Sequence, residues 1–228
     1  MRTFTELESQ LYHTIRKSRA LRPSLAANDI DGAFNNTLPS ALITIMEQRK
    51  MPRYLIGWIK DFTTDRSLSF SFDNRLELPQ PFVNALPQGS PVSGVLFLIA
   101  MSAIFQETDS KIVSHSEYVD DATEITAGVK IENVIKNLSE SFDKKAVRAN
   151  TLGLQFSRKK SELINFSCRK RRIPIDSIMK LTDSAGSWDV SPSIQIKLLG
   201  VIVDDTLNLL LHSQHAPSKA IQILGSLY

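Results

Sequence analysis

Cysteine is almost absent from this chain: Cys168 stands alone among 228 residues, so no pair exists to staple a small secreted scaffold. A lone thiol suits a reducing compartment, and an intracellular setting, nucleus or cytoplasm, is expected. No stretch is apolar enough to cross a bilayer. The longest run, VSGVLFLIAMSAIF at 92–105, falls short of the roughly 20 residues a span needs and reads as a buried helix. The N-terminal MRTFTELESQ lacks the apolar core of a secretory signal. The excess of one charge sign is small too, at a net +3. The 42% hydrophobic and 22% charged residues are those of an ordinary folded domain, which excludes a disordered chain.

The small net charge hides an uneven distribution. The run RKKSELINFSCRKRR, 158–172, carries seven Lys or Arg against one Glu, a local +6, so the rest of the chain sums to −3. Such asymmetry points to a polyanionic partner on one face, although a solvated basic surface has the same composition.

Hydrophobic spacing outlines the elements. Leu7, Leu11, Ile15 and Leu21 predict a helix over residues 5–20, and SLAANDIDGAF after Pro23 reads as a strand running into a turn, closed at Asp29. Two helices come next, LPSALITIMEQRK and PRYLIGWIKDF, the second opened by Pro52 in its first turn. Alternation from Leu68 to Leu86 around Asp73-Asn74 predicts a hairpin. A helix is expected at 90–107, a strand pair around Asp120-Asp121, and a helix at 130–151 stopped by Gly153. Strands at 162–167 and 194–203 and a helix from about 215 complete the reading. Long helices mixed with antiparallel pairs define an α+β protein.

Three short stretches carry candidate chemistry. EYVDDATEIT, 117–126, places Asp120 and Asp121 side by side. Adjacent carboxylates repel and are driven toward protonation when half buried, unless a cation lies beside them. A solvated hairpin turn would also accommodate them. In ANDIDGAFNN, Asp29 ends the predicted strand and Phe34 lies five residues on, with Asp31 as the competing carboxylate. If that strand neighbours the Asp-Asp hairpin, three carboxylates converge into a set suited to Mg²⁺. In ALPQGSPVSGVLF, 85–97, Pro87 and Gly89 form a turn before a helix, with Gln88 offering both a donor and an acceptor.

DIDGAFNN, LPQGSPVSGVLF, YVDD, GLQFSRKKSE and IKLLGVIVDD occur in the order and rough spacing of the palm motifs of reverse transcriptases. The set most resembles those of non-LTR, LINE-like retrotransposons and extends from about residue 5 to the C-terminus. The resemblance implies a polymerase palm, a ferredoxin-like antiparallel sheet with helices on one face, with partial fingers. It sets the whole of 1–228 as a partial reverse transcriptase domain. Within it the palm core covers about 20–205, a fingers insertion about 37–85, and the start of a thumb or connection about 206–228.

It further implies RNA-directed DNA polymerase activity, adding deoxynucleotides to a primer by two-metal nucleotidyl transfer. Two Mg²⁺ ions, with Mn²⁺ as an alternative, would be held by Asp29, Asp120, Asp121 and the carbonyl of Ile30. Phe34 would sit under the incoming sugar as a gate against a 2′-hydroxyl, and Gln88 and Gly89 would contact the nucleotide. Tyr118 would lie near the primer end, and Lys160 would protonate the leaving pyrophosphate. IKLLGVIVDD would form one primer-grip strand in which Leu199 and Gly200 allow close backbone approach, with Asp204 and Asp205 in a solvated turn. The implied partners are an RNA template, a DNA primer and a deoxynucleoside triphosphate, with no membrane. The chain departs from the family at Ala85, Asn35 and Gly94, none of them a metal ligand. Complete members extend further into fingers and thumb, so the alternative is a truncated, inactive retroelement relic that at most binds nucleic acid. An unrelated metal-dependent phosphohydrolase fits the ordered motifs poorly.

Overall fold

The computed structural model describes residues 21–73, 75–76, 78–82, 86–105, 112–167, 177–207 and 210–215. In chain order it shows β1 (Arg22–Asp31), α1 (Ala33–Asn36), α2 (Pro39–Gln48) and α3 (Arg53–Thr63), then the short strands β2 (Arg66–Leu68), β3 (Ser71–Phe72), β4 (Arg75–Leu76) and β5 (Gln80–Phe82). After α4 (Pro91–Phe105) come β6 (Val113–Tyr118), β7 (Asp121–Gly128) and the long α5 (Ile131–Thr151). The remainder is β8 (Gln155–Phe156), β9 (Glu162–Asn165), β10 (Met179–Asp183), β11 (Gly186–Val190), β12 (Pro192–Ser193), β13 (Gln195–Leu198) and β14 (Val201–Asp204). Residues 210–215 are helical, and the rest of the predicted terminal helix, like the predicted helix over 5–20, lies outside the described residues.

Cα proximity divides the chain into two units. One takes Asp29 and the residues before it, the 112–144 stretch, and the described residues from Ser157 onward. The other takes the described residues of 30–105 together with Lys145–Phe156.

The first unit is built on a sheet in the order β12-β9-β1-β7-β6. Every pairing on this path is antiparallel except β12 with β9. β1 is the middle strand and is covered on both faces: Leu25 and Ala26 are both buried, so its sequence shows no clean polar alternation. Leu25 joins Ile125, Ile164, Phe166, Ile196, Leu198 and Val203 in one buried cluster. The segment expected as a single strand at 194–203 is instead the hairpin β13–β14, with Leu198 paired to Val201 across Leu199-Gly200. Both turn residues have positive φ, 46° and 90°, the geometry of a two-residue turn that reverses the chain. A glycine at the second position makes that reversal cheap.

The expectation of a solvated turn at Asp204-Asp205 is also corrected, because both residues are buried. Asp204 Oδ1 accepts from the Thr206 amide (2.8 Å) and hydroxyl (2.6 Å). The Asp205 backbone meanwhile bonds Ile194 and Ser167. A carboxylate that satisfies its own turn can leave water, which the charge alone does not reveal.

In the second unit α2 packs against both α3 and α4. Leu42 and Met46 of α2, and Leu96, Phe97, Ala100, Met101 and Ile104 of α4, are all buried, at the three- and four-residue spacing of one helix face. Pro52 precedes α3 as its cap residue rather than standing inside its first turn. The predicted hairpin is present: β3 pairs with β4 inside the β2–β5 pair, and Asp73 takes φ 50°, while Asn74 lies outside the described residues. Gly153, at φ 76°, ends the α5 segment where a Cβ would lie 2.6 Å from Leu38 Cγ. Among the described residues no helix is long and apolar enough to cross a membrane.

Candidate active site

Asp29 and Asp121 are direct register partners on β1 and β7, so their Cα atoms lie about 5 Å apart as antiparallel neighbours do. β1 does not end at Asp29 as expected but runs two residues further, to Asp31. Asp120 sits in the two-residue turn between β6 and β7, bounded by the Tyr118–Asp121 pair. Its neighbour Val119 adopts φ 56°, the only positive φ in that turn. A β-branched residue there is strained, since its Cβ crowds the following carbonyl, and such outliers recur at functional sites.

The electrostatics derive from this placement. Burial, then Asp120, then Asp29 push the Asp121 carboxyl above its ordinary value, and Lys160 opposes them. Lys160 Nζ donates to Asp29 Oδ2 at 2.8 Å. Asp29 Oδ1 is buried and has no hydrogen-bond partner among the described residues. Asp29, Asp121 and Lys160 open onto a cavity of about 330 Å³, also lined by Tyr118 and Leu199. Gly200 comes directly after Leu199 in the hairpin turn.

The cavity brings in residues that motif reading passed over: Lys159, Glu162 and Lys197. Glu162 has its carboxyl raised by burial, against the opposing hydrogen bond from the Lys197 backbone. The sequence does carry a signal for these three, because each adjoins a motif residue, but only the turn before β9 and the β9 and β13 strands bring them to one space. The basic run is not a uniform charged face. Arg158 is held by Asp183 at 2.8 Å, Lys160 by Asp29, and 169–172 lie outside the described residues.

The remaining candidates belong to the second unit. Ile30 is buried at the end of β1. The Phe34 ring lies 5.0 Å from that of Phe97, tilted by 34°, and its carbonyl accepts from the Leu86 amide. Gln88 Nε2 donates to Asn35 Oδ1 at 3.3 Å, which gives the departure at Asn35 a local partner. Gly89 takes φ 87° in the turn before α4.

Hard aspartate oxygens suit a divalent cation such as Mg²⁺, which is commonly held by one or two carboxylates plus substrate phosphates. The orphaned Asp29 Oδ1 beside Asp121 fits that use. Among the described residues no three acidic, His or Cys side chains are grouped to hold an ion by themselves, and the Lys160 ammonium supplies the positive charge beside Asp29.

An α+β fold whose antiparallel sheet sets carboxylates at the ends of adjacent strands has the architecture of a polymerase palm. The chain belongs to the family described as reverse transcriptase (RNA-dependent DNA polymerase), whose profile matches residues 2–203. It is 25% identical, over 95% of its length, to the retrovirus-related Pol polyprotein from type-1 retrotransposable element R2 of Bradysia coprophila. Among solved structures it is similar in fold to apo telomerase from Candida tropicalis truncated from the C-terminal domain, with TM-score 0.59 at 13% identity over 92% of this chain. Telomerase from the same organism, in complex with a TWJ fragment of telomeric RNA, gives TM-score 0.58 at 13% identity, again over 92%. The chain spans 27% of the R2 polyprotein and 40% and 33% of the two telomerase chains.

Proposed function

We propose that this chain is the palm, with part of the fingers, of an RNA-directed DNA polymerase that extends a DNA primer on an RNA template. The observation that carries the reading is the registered Asp29–Asp121 pair with Asp120 in the adjoining turn and Lys160 at hydrogen-bond distance. Asp29, Asp120, Asp121 and the Ile30 carbonyl would hold two Mg²⁺ or Mn²⁺ ions. Bound there, the ions would lower the pKa of the attacking hydroxyl and stabilise charge on the leaving oxygen. Lys160 gives its proton to the departing pyrophosphate. Tyr118, Leu199 and Gly200 border the primer end, while Phe34, Gln88 and Gly89 receive the deoxynucleotide and exclude a 2′-hydroxyl. Template and primer are held mainly through phosphates, so binding weakens with salt.

The palm core corresponds to about 20–205, the fingers insertion to about 37–85, and the thumb or connection begins near 206. A second reading, a catalytically inactive relic that binds nucleic acid, is favoured by one observation: Lys160 already pairs with Asp29 at 2.8 Å.

The test is primer extension on an RNA template with Mg²⁺. It compares this chain, its Asp120→Asn variant and a version joined to fingers and thumb of a related element. Extension in the joined version that disappears with Asp120→Asn supports the polymerase. No extension in either, with nucleic-acid binding retained, supports the relic. The bare chain is expected to extend poorly, since transfer depends on positioning and each lost 1.4 kcal/mol costs about tenfold in rate.

A further inference from the structure

Arg158 belongs to the basic run, but its head group is engaged within the first unit, with its side chain 40% exposed. Nη2 donates to Asp183 Oδ1 at 2.8 Å and reaches the Gly186 carbonyl at 3.5 Å. The guanidinium carbon stands 4.9 Å from the Trp188 ring centroid, a distance at which the cation is attracted by the ring face. These three partners lie on one hairpin, β10–β11, and that hairpin is itself fixed. Trp188 meets Phe142 of α5 edge-on at 5.5 Å and 89°, and the Thr182 amide donates to Asp143 Oδ1 at 3.0 Å. Asp183 also accepts from the Ala185 amide at 2.8 Å, so its carboxylate is oriented before Arg158 reaches it.

The residues after Arg158 form a short turn tied to β1. The Ser157 amide donates to the Asp29 carbonyl at 2.8 Å, and the Ser157 carbonyl accepts from the Lys160 amide (3.2 Å) and the Ser161 hydroxyl (3.0 Å). Lys160 leaves this turn toward Asp29 with its side chain 59% exposed, against 18% for Asp29. A flexible, exposed lysine gains a fixed address only if the backbone behind it is fixed, because an exposed ion pair alone is weak.

We propose that Arg158, clamped by Asp183 and Trp188, is a positioning residue that holds the 157–161 turn so that Lys160 stays beside Asp29. The β10–β11 hairpin is then a buttress for the candidate active site, although it contributes no ligand to it. The consequence for catalysis rests on the polymerase reading above; the positioning itself does not.

The experiment uses the 228-residue chain and needs no polymerisation, so failure of primer extension and failure of this inference are distinguishable. Amide hydrogen exchange is measured by residue, together with the acetylation rate of Lys160 relative to Lys136, an exposed helical lysine paired with Glu140 at 3.7 Å. In Arg158→Ala, exchange at Ser157 and Lys160 is expected to rise about tenfold by local opening. Lys160 acetylation should rise about threefold as its ion pair loosens, with the β6–β7 amides and Lys136 unchanged. Trp188→Leu should reproduce that local pattern, and Arg158→Lys, which keeps a cation over the ring, should return values between wild type and Arg158→Ala. Unchanged exchange and acetylation in Arg158→Ala would overturn the proposal. So would a rise spread evenly over the described strands, which would mark Arg158 as a general stability anchor.

Discussion

Two hairpins of the first unit reverse the chain in two residues, Val119-Asp120 between β6 and β7 and Leu199-Gly200 between β13 and β14. Each puts a bulky residue at positive φ in the first central position, 56° for Val119 and 46° for Leu199. They differ in the second turn residue and in the packing beneath it. The β13–β14 turn continues with Gly200 at φ 90°, and its strands deliver Ile196, Leu198 and Val203 to the buried cluster. The β6–β7 turn continues with Asp120, then Asp121, and leaves Tyr118 and Val119 exposed. One turn therefore relieves its second position with glycine, whereas the other follows its strained residue with two like charges. Strain retained where paired carboxylates sit points to use rather than to folding.

The comparison can be broken at four places. The largest effect is expected under the stable hairpin, where Ile196→Ala opens a cavity in the buried cluster and should cost about 2–5 kcal/mol in a urea melt. A cost below that of an ordinary surface change would mean that β13–β14 is not part of the core. Next, Gly200→Ala forces a Cβ into φ 90° and should destabilise by about 1–2 kcal/mol, although no atom lies within 4 Å of that Cβ. The same measurement on Val119→Asn should go the other way, a gain of up to about 1 kcal/mol, since Asn tolerates positive φ and Val does not. Destabilisation by Asn would remove the claim of strain.

The smallest effect is a pH-dependent one at Asp121, whose carboxyl is held above its ordinary value by burial, then by Asp120 and Asp29. A raised folded pKa means that the folded state binds this proton more tightly than the unfolded state does. The stabilisation is therefore present below the unfolded carboxylate pKa and is lost as pH rises through the folded one. Asp121→Asn escapes that loss. Its Tm should exceed that of the wild type at neutral pH, with the gap closing in acid; a gap independent of pH would assign the change to packing instead. Millimolar Mg²⁺ should raise the wild-type Tm and leave that of Asp121→Asn nearly unmoved, because only a ligand of the folded state stabilises it.

Helices with one apolar face and strands around short turn signals are legible in the sequence. α4, α5 with its Gly153 stop, and the Asp73-Asn74 hairpin all appear where spacing and turn chemistry put them. The hairpin that replaces the continuous strand expected over 194–203 is not legible because Leu199 gives no turn signal; its positive φ is enforced by the strand pairing on both sides. The burial of Asp204 and Asp205 is not legible either, because it depends on partners supplied by Thr206 and by the chain around Ile194 and Ser167. The hairpin β10–β11 carries no motif, and the hold that Asp183 and Trp188 exert on Arg158 could not be inferred from a basic run.

The sequence by itself determined the class of fold and the ordered motifs that resemble reverse transcriptases, and it singled out the candidate carboxylates, because each is a matter of local spacing and residue type. Tertiary structure alone decided that Asp29 faces Asp121 in register, that Lys160 rather than its neighbours reaches Asp29, and that Glu162 and Lys197 share their cavity. The burial of one face leaves a periodic trace along the chain, whereas strand order is set by long-range pairing, which leaves none.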